Sequence, residues 1–187
     1  MKNHINSNNK VIEIVDELLD IDLYTNEDRQ YDFHAADISK IVSDIIESVA
    51  SLSFKRNIKI DWTPPAEKMQ AEIDSKKIAI VLQNLIDNAI KYGDLNSTIE
   101  INLKKINSLI RITVKNQGIG IPKEDSGDIF QRFFRAKNAI RKETEGMGIG
   151  LFISKNIVED HCGRIWFESE KDGTTTFTVE IPISRKL

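Results

Sequence analysis

The 187-residue chain is short of several things at once. Its single cysteine, Cys162, can form no internal disulfide, and three scattered histidines add no zinc cluster to it. The longest uninterrupted apolar run, Ile78-Ala79-Ile80-Val81-Leu82, falls far short of the ~20 residues that span a bilayer. Residues 1–10 lack the apolar core of a signal peptide. Neither charge dominates: 26 Lys+Arg face 29 Asp+Glu, and a net charge of -3 gives no global attraction to nucleic acid or anionic lipid. These shortages predict a cytoplasmic protein without direct nucleic-acid or membrane contact, in which any anion site is local. What is present, 40% hydrophobic and 29% charged residues, is the balance of a chain that buries a core. Its length suits one domain with a short appendage.

Along the chain, Val11, Ile14, Val15, Leu18 and Leu19 recur at helical spacing and leave a narrow apolar stripe suited to pairing with another helix. A polar linker over 25–32 follows, so the expected division is 1–30, helix tail plus linker, and 31–187, the folded unit. Asp37 is the expected N-cap of a helix with Ile38, Ile41, Val42, Ile45, Ile46 and Val49 on one side. Ile58-Lys59-Ile60-Asp61-Trp62 alternates as a half-buried strand does, until Pro64-Pro65 stops it. Asp74 caps the next predicted helix, whose Ile78, Val81, Leu82, Leu85, Ala89 and Ile90 face a core, and Gly93 ends it in the C′ position.

Strands are expected at 98–103 and 109–115, joined through Asn107-Ser108. A stretch from 117 to 147 is too long to be an idle connection. A helix over 150–160 and two strands, 164–169 and 175–183, meeting at Lys171-Asp172-Gly173, complete the pattern. Hairpins mixed with helices, without strict βαβ alternation, predict the α+β class: a two-layer sandwich, a mixed sheet with helices on one face and the other less covered.

Three features carry chemistry. Asn84, Asn88 and Lys91 fall at i, i+4 and i+7 of the 75–92 helix and share one face. Amide oxygens one turn apart can hold a hard cation such as Mg2+, which keeps waters and completes its shell with substrate phosphates, while Lys91 meets a phosphate. A solvated face is the bland alternative, although such a face more often takes Glu or Lys than Asn. Second, Gly118-Ile119-Gly120-Ile121 follows a strand, and Gly146-Met147-Gly148-Ile149-Gly150-Leu151 opens a helix. Glycines at a helix start let unpaired N–H groups approach an anion. Neither run is a phosphate loop ending in Gly-Lys-Ser/Thr or a dinucleotide fingerprint. Third, residues 129–142 hold five basic residues and no acidic one, the local cation density that a triphosphate needs. Phe130, Phe133 and Phe134 in the same stretch predict a lid that docks rather than a solubilising loop.

Taken together, Asn84-x3-Asn88-x2-Lys91-Tyr92, Asn116-x-Gly118-x-Gly120-Ile121, Ile129-Phe130-x-Arg132-Phe133, Gly146-x-Gly148-x-Gly150-Leu151 and Thr175-x-Phe177 resemble, in order, the N, G1, F, G2 and G3 boxes of sensor histidine kinases. His161-Cys162-Gly163-Arg164-Ile165-Trp166 is also typical of that family, and the resemblance covers residues 31–183. It implies the Bergerat ATP-binding fold shared with gyrase-like ATPases, Hsp90-type chaperones and mismatch-repair ATPases, with ATP and Mg2+ as ligands. On this resemblance Asn88 is the Mg2+ ligand and Asn84 its companion, and Lys91 and Tyr92 line phosphate and nucleoside. Asn116 occupies the adenine-reading position, Gly118, Gly120 and Ile121 turn over the base, and Thr175 supplies a hydroxyl behind it. Gly146, Met147, Gly148, Ile149, Gly150 and Leu151 cradle phosphates. Arg132 and Arg135 approach the β- or γ-phosphate, and Phe130 and Phe133 anchor the lid.

Two positions depart from the family pattern. Most members carry Asp where Asn116 stands, and Gly where Thr174 stands. The hydrolytic relatives place a Glu, a general base for water, four residues before the metal-binding Asn; here that position is Asn84, which cannot play that part. The resemblance therefore implies a phosphotransferase that holds ATP for an acceptor. No histidine of the chain fits the family's acceptor box: His4 precedes Ile5, His34 precedes Ala35 and His161 precedes Cys162. The helix over 11–23 resembles the tail of the second dimerisation helix, which puts the acceptor on a dimerisation domain outside this chain. The implied partners are that domain and a response-regulator receiver domain, in a two-component phosphorelay, with this part a monomer or weak dimer. Two alternatives remain open at this point: an anti-sigma-factor type serine kinase of the same fold, and a catalytically silent module that uses nucleotide occupancy to switch protein contacts.

Overall fold

A computed structural model describes residues 30–185 except 145 and 171. The helix expected over 11–23 lies outside the described residues, as does His4. The first described elements are a short strand, β1 (His34–Asp37), and helix α1 (Ile38–Lys55). The Asp37 carboxylate accepts the Ser39 N–H at 3.0 Å and the Met69 N–H at 3.2 Å, so one side chain caps α1 and ties it to the chain just before Gln70. Burial raises the Asp37 pKa, but hydrogen bonds from Ser39 and the Met69 backbone, with the charge of Lys68, outweigh it and hold the carboxyl below its usual range.

Strands β2 (Lys59–Trp62) and β3 (Gln70–Ile73) precede helix α2 (Ser75–Tyr92). The Asp74 carboxylate caps α2, accepting the N–H groups of Lys76 and Lys77 at 3.1 Å. Next come β4 (Thr98–Ile106), β5 (Leu109–Gln117), a 3-10 turn at Lys123–Asp125 and the short helix α3 (Lys137–Lys142). Helix α4 (Gly150–Asp160), β6 (Arg164–Ser169) and β7 (Thr174–Pro182) complete the fold.

Five strands form one mixed sheet in the order β2-β4-β5-β7-β6, with β2 parallel to β4 and the other pairs antiparallel. Alternation decides its two faces: Ile99, Ile101 and Leu103 of β4, Ile110, Ile112 and Val114 of β5, and Phe177, Val179 and Ile181 of β7 are all buried. They join Val42, Ile45 and Val49 of α1, Leu82, Leu85, Ile86 and Ile90 of α2, and Ile157 and Val158 of α4 in one core. The other face carries polar residues. Arg111 donates to Glu180 from Nε (2.8 Å) and Nη2 (2.5 Å), and half-buried Trp166 has the Arg111 and Arg164 guanidinium carbons 5.8 and 5.2 Å from its ring centroid. The α+β two-layer expectation holds.

Three details differ from the sequence reading. The two-stranded sheet of β1 and β3 was not expected, because each has only four residues and their pairing is non-local. Gly93 does not close α2 in the left-handed conformation: it is extended (φ -67°, ψ 157°) and bridges Gly118. A Cβ there would lie 2.5 Å from the Ala89 carbonyl oxygen, so glycine is required by crowding, not by handedness. The long stretch after β5 is also partly regular, holding the 3-10 turn and α3.

His161 is 1% exposed at the end of α4. Its Nδ1 donates to the Ile157 carbonyl (2.7 Å) and its Nε2 accepts the Asp74 N–H (3.1 Å), an arrangement that needs the neutral ring. Tyr31 and Phe33 pack on it with ring centroids 5.4 and 5.0 Å away, and the Tyr31 hydroxyl donates to Asp160 at 2.6 Å. Burial pushes the His161 pKa down, against the Ile157 hydrogen bond and the charges of Asp74 and Asp160, with Arg185 adding to the downward shift. A histidine whose folded pKa is depressed binds its proton more readily unfolded. It therefore leaves stability intact above its ordinary pKa of about 6.5 and removes it as pH falls through that value. Thermal unfolding between pH 7.5 and 5 is expected to show a falling midpoint, and His161→Gln a shallower fall; equal slopes would remove His161 as the cause.

Candidate active site

The face of α2 opposite its core stripe borders a cleft of about 260 Å³. Asn84, Asp87, Asn88, Lys91 and Tyr92 of α2 form one wall. The start of α4, with Gly146, Met147, Gly148, Ile149, Gly150 and Leu151, forms the facing wall, and Asn116, Gly120, Ile121 and Thr175 lie at the sheet end. Residues scattered over nearly a hundred positions thus converge because α2 and α4 pack side by side on the sheet.

The walls are tied directly. Asn84 Nδ2 donates to the Gly150 carbonyl (3.1 Å) and to Ser154 Oγ (3.3 Å), which sets the amide so that Oδ1 is left as an acceptor. A Cβ on Gly150 would sit 3.2 Å from that Oδ1, so glycine lets α4 start hard against Asn84. Among the described residues, none hydrogen-bonds the Asn88 amide. Asp87, which the sequence reading passed over, also lines the cleft and accepts from Gln83 Nε2 at 3.0 Å. Its position three residues after Asn84 was the available signal.

Helix α4 begins without a side-chain cap at Ile149. Its first amides have no intrahelical partner, and the approach to them passes through Gly146 (φ 102°) and Gly148 (φ 74°) in the left-handed region that favours glycine. At the sheet end the β5–β7 register sets Asn116 opposite Thr175, both buried. Thr175 Oγ1 lies 2.6 Å from Ser169 Oγ, which accepts the Ile121 N–H at 2.9 Å, so a hydroxyl pair braces the loop after β5. Uncapped amides suit phosphates, the oxygens of Asn84, Asp87 and Asn88 suit a hard cation, and Asn116 supplies a donor and an acceptor for a base edge.

Not every expected residue reaches the cleft. Gly118 lies outside the lining: its N–H donates to the Gly173 carbonyl (3.0 Å), and a Cβ would fall 2.1 Å from the Tyr92 carbonyl oxygen, so it packs the turn onto α2. Phe133 is 52% exposed, with φ 64° and the Arg132 guanidinium carbon 4.9 Å from its ring centroid; neither Arg132 nor Phe133 lines the cleft. The positive φ turns the chain so that Phe134, not Phe133, enters the lining. The ring centroids of Phe130 and Phe167 lie 6.2 Å apart. Arg135 does line the cleft, but its guanidinium donates to the carbonyls of Glu143, Thr144 (3.3 Å) and Gly146 (2.9 Å), so its donors hold the lid's own backbone. Asn138 is a further lining residue, without a sequence signal because α3 is too short to show a period.

His34 and His161 are both engaged, His34 with the Asp32 carbonyl (2.9 Å) and Ser75 Oγ (3.2 Å). Among the described residues no helix is long and apolar enough to cross a membrane.

The profile of the family described as histidine kinase-, DNA gyrase B-, and HSP90-like ATPase matches residues 73–185. The sensor histidine kinase WalK of Bacillus subtilis (strain 168) is 33% identical over 181 residues, covering 95% of this chain and 29% of WalK. This chain thus spans less than a third of the length of that relative. The catalytic domain of histidine kinase ThkA superposes with a TM-score of 0.72 at 31% identity, over 82% of this chain and 97% of that one. ThkA in complex with the response regulator protein TrrA matches with a TM-score of 0.75 at 29% identity, over 96% of this chain and 49% of that one. A five-stranded mixed sheet under α2 and α4, the cleft between them and these likenesses agree: the chain belongs to the histidine kinase-, DNA gyrase B-, and HSP90-like ATPase family, as an ATP-binding catalytic domain of the sensor histidine kinase kind.

Proposed function

We propose that the cleft binds ATP with Mg2+ and positions the γ-phosphoryl for transfer to a histidine presented by a dimerisation domain. The observation that carries this reading is the convergence of Asn88 and Lys91 on one wall with the uncapped, glycine-lined start of α4 on the other. Asn116 and Thr175 take the adenine, Lys91 and the amides of 148–151 hold the phosphate chain, and Asn88, with Asn84 and Asp87 beside it, supplies oxygens to the metal. When bound, Mg2+ neutralises charge on the phosphate oxygens. The chain's own contribution is positioning: a bond forms between the acceptor imidazole nitrogen and γ-phosphorus as the bond to the β,γ-bridging oxygen breaks, and ADP leaves. Asn84, tied to Gly150 and Ser154, offers no general base to a competing water, which supports transfer over hydrolysis.

The ThkA–TrrA complex supports a response regulator as the onward partner, receiving the phosphoryl on an aspartate, and use of ATP supports a cytoplasmic site of action. The oligomeric form of this part is read as monomer or weak dimer. A silent nucleotide switch is the second reading, favoured by Arg135, whose donors are held by backbone carbonyls.

Calorimetric titration with a non-hydrolysable ATP analogue, with and without Mg2+, followed by phosphoryl transfer to a supplied acceptor domain, separates the readings. Mg2+-dependent binding with transfer is expected; binding without transfer supports the silent switch, and no binding removes both. Asn116 adds a selectivity test. An Asp accepts only, whereas Asn can turn its NH2 toward the O6 of guanine. Asn116→Asp is expected to raise the preference for ATP over GTP by roughly tenfold, one hydrogen bond's worth of discrimination; GTP competing equally well before and after the change would remove the idea.

A further inference from the structure

Helix α3 lies against the cleft, and its hold on the rest of the domain is polar. Asn138 Nδ2 donates to the carbonyls of Ile119 (3.2 Å) and Gly120 (3.0 Å). One turn on, Lys142 Nζ donates to the Gly93 carbonyl (3.0 Å) and lies 3.5 Å from the Asp94 carboxylate. Every one of these acceptors belongs to the fixed body. The Asp172 N–H donates to the Ile119 carbonyl (3.1 Å) and the Gly118 N–H to the Gly173 carbonyl, stitching the loop after β5 to the β6–β7 turn, while Gly93 ends α2. Arg135, by contrast, bonds among the described residues to carbonyls within the lid, those of 143, 144 and 146, so it ties parts of the lid to one another.

The Asn138 amide has a second consequence. Two carbonyls beside one end require that end to be the NH2 group, which leaves Oδ1 buried and, among the described residues, without a hydrogen-bond partner. An unsatisfied buried acceptor opposes the closed state, and opening returns it to water. The contacts of Asn138 and Lys142 are thus set against a built-in cost.

We propose that Asn138 and Lys142 form a latch between α3 and the loops at 93–94 and 119–120, positioning residues that set how fast nucleotide enters and leaves. The proposal rests on the ATP-binding reading of the cleft. The latch contacts run from protein group to protein group, so they act on the barrier in both directions: loosening them speeds entry and release together and leaves the equilibrium nearly unchanged. A residue that touched nucleotide directly would change release alone. A six-residue helix is unstable by itself, so detachment of α3 also exposes its own amides, including Ile140 N–H, bonded to the Ala136 carbonyl, and Glu143 N–H, bonded to the Ala139 carbonyl.

The test uses the unmodified chain, Asn138→Ala, Lys142→Met and, as a control on the same helix, Arg141→Ala. In the nucleotide-free protein, hydrogen exchange over residues 138–143 is expected to speed by roughly fivefold in each latch variant and not in Arg141→Ala. In stopped flow with a fluorescent ATP analogue, association and dissociation rates are expected to rise together by roughly fivefold, with Kd shifting less than about twofold. Unchanged exchange over α3 overturns the latch. Faster release with unchanged association makes Asn138 a direct nucleotide contact and also overturns it. Failure of the unmodified chain to bind the analogue overturns the ATP reading, and is told apart because the exchange experiment needs no nucleotide.

Discussion

Asn88→Ala is expected to lower phosphoryl transfer to a supplied acceptor histidine by roughly a hundredfold, the scale of losing one preorganised electrostatic contact to a charged transition state. Asn88 is half-buried on the cleft-facing wall of α2, and no described residue hydrogen-bonds its amide. Its replacement therefore strands no partner in the protein. Alanine also has the higher helix propensity, so the thermal midpoint is expected to hold or rise slightly. Transfer lost with the fold retained is the signature of a ligand-facing side chain. Mg2+ titration completes the test: analogue binding by Asn88→Ala should lose most of its Mg2+ dependence. Undiminished dependence would place the metal on other oxygens, with Asp87 the next candidate.

Gly120→Ala is expected to be the most destabilising single-methyl addition in the chain outside the core, by about 3 kcal/mol or more from steric overlap and left-handed strain combined. At Gly120 (φ 62°) an added Cβ would fall 1.9 Å from the Glu170 carbonyl oxygen, 2.8 Å from its carbon and 3.0 Å from Asp172 N. These are backbone atoms, held by the Asp172 N–H to Ile119 and Gly118 N–H to Gly173 hydrogen bonds, so neither side can yield without losing the seam between the two loops. Nucleotide affinity should fall with stability, because the same loop presents Ile121 to the cleft and accepts Asn138. Gly127→Ala is the matched control: nothing lies within 4 Å of a Cβ there, and its effect should stay within about 0.5 kcal/mol. Denaturant unfolding of both variants reads the difference directly, and equal midpoints would refute the steric account.

The legible part of the site was what local spacing controls. Asn84, Asn88 and Lys91 announce a shared face through helical periodicity, and the cleft does lie along it. The caps at Asp37 and Asp74 follow from a carboxylate placed just ahead of an apolar period, one residue before Ile38 and four before Ile78, and both carboxylates accept the expected amides. The alternation in β4, β5 and β7 likewise sorts their residues between core and open face. Illegible was whatever depends on a partner distant in sequence. The β1–β3 pair, the extended Gly93 and the packing glycine at 118 are each set by atoms brought from elsewhere in the chain.

The lid shows the division most sharply. Its basic and aromatic composition marked it for function, but composition cannot say which way a side chain turns. One positive φ at Phe133 sends Phe133 and Arg132 outward and Phe134 inward, and three backbone carbonyls take the donors of Arg135. By itself the sequence determined the family, the three long helices, the strands of the larger sheet and the α2 wall, because periodicity, capping and glycine placement are short-range properties written residue by residue. Only the tertiary structure decided which residues meet across the cleft and how α3 is held, because hydrogen bonds between segments depend on the distance left between them once the core has packed.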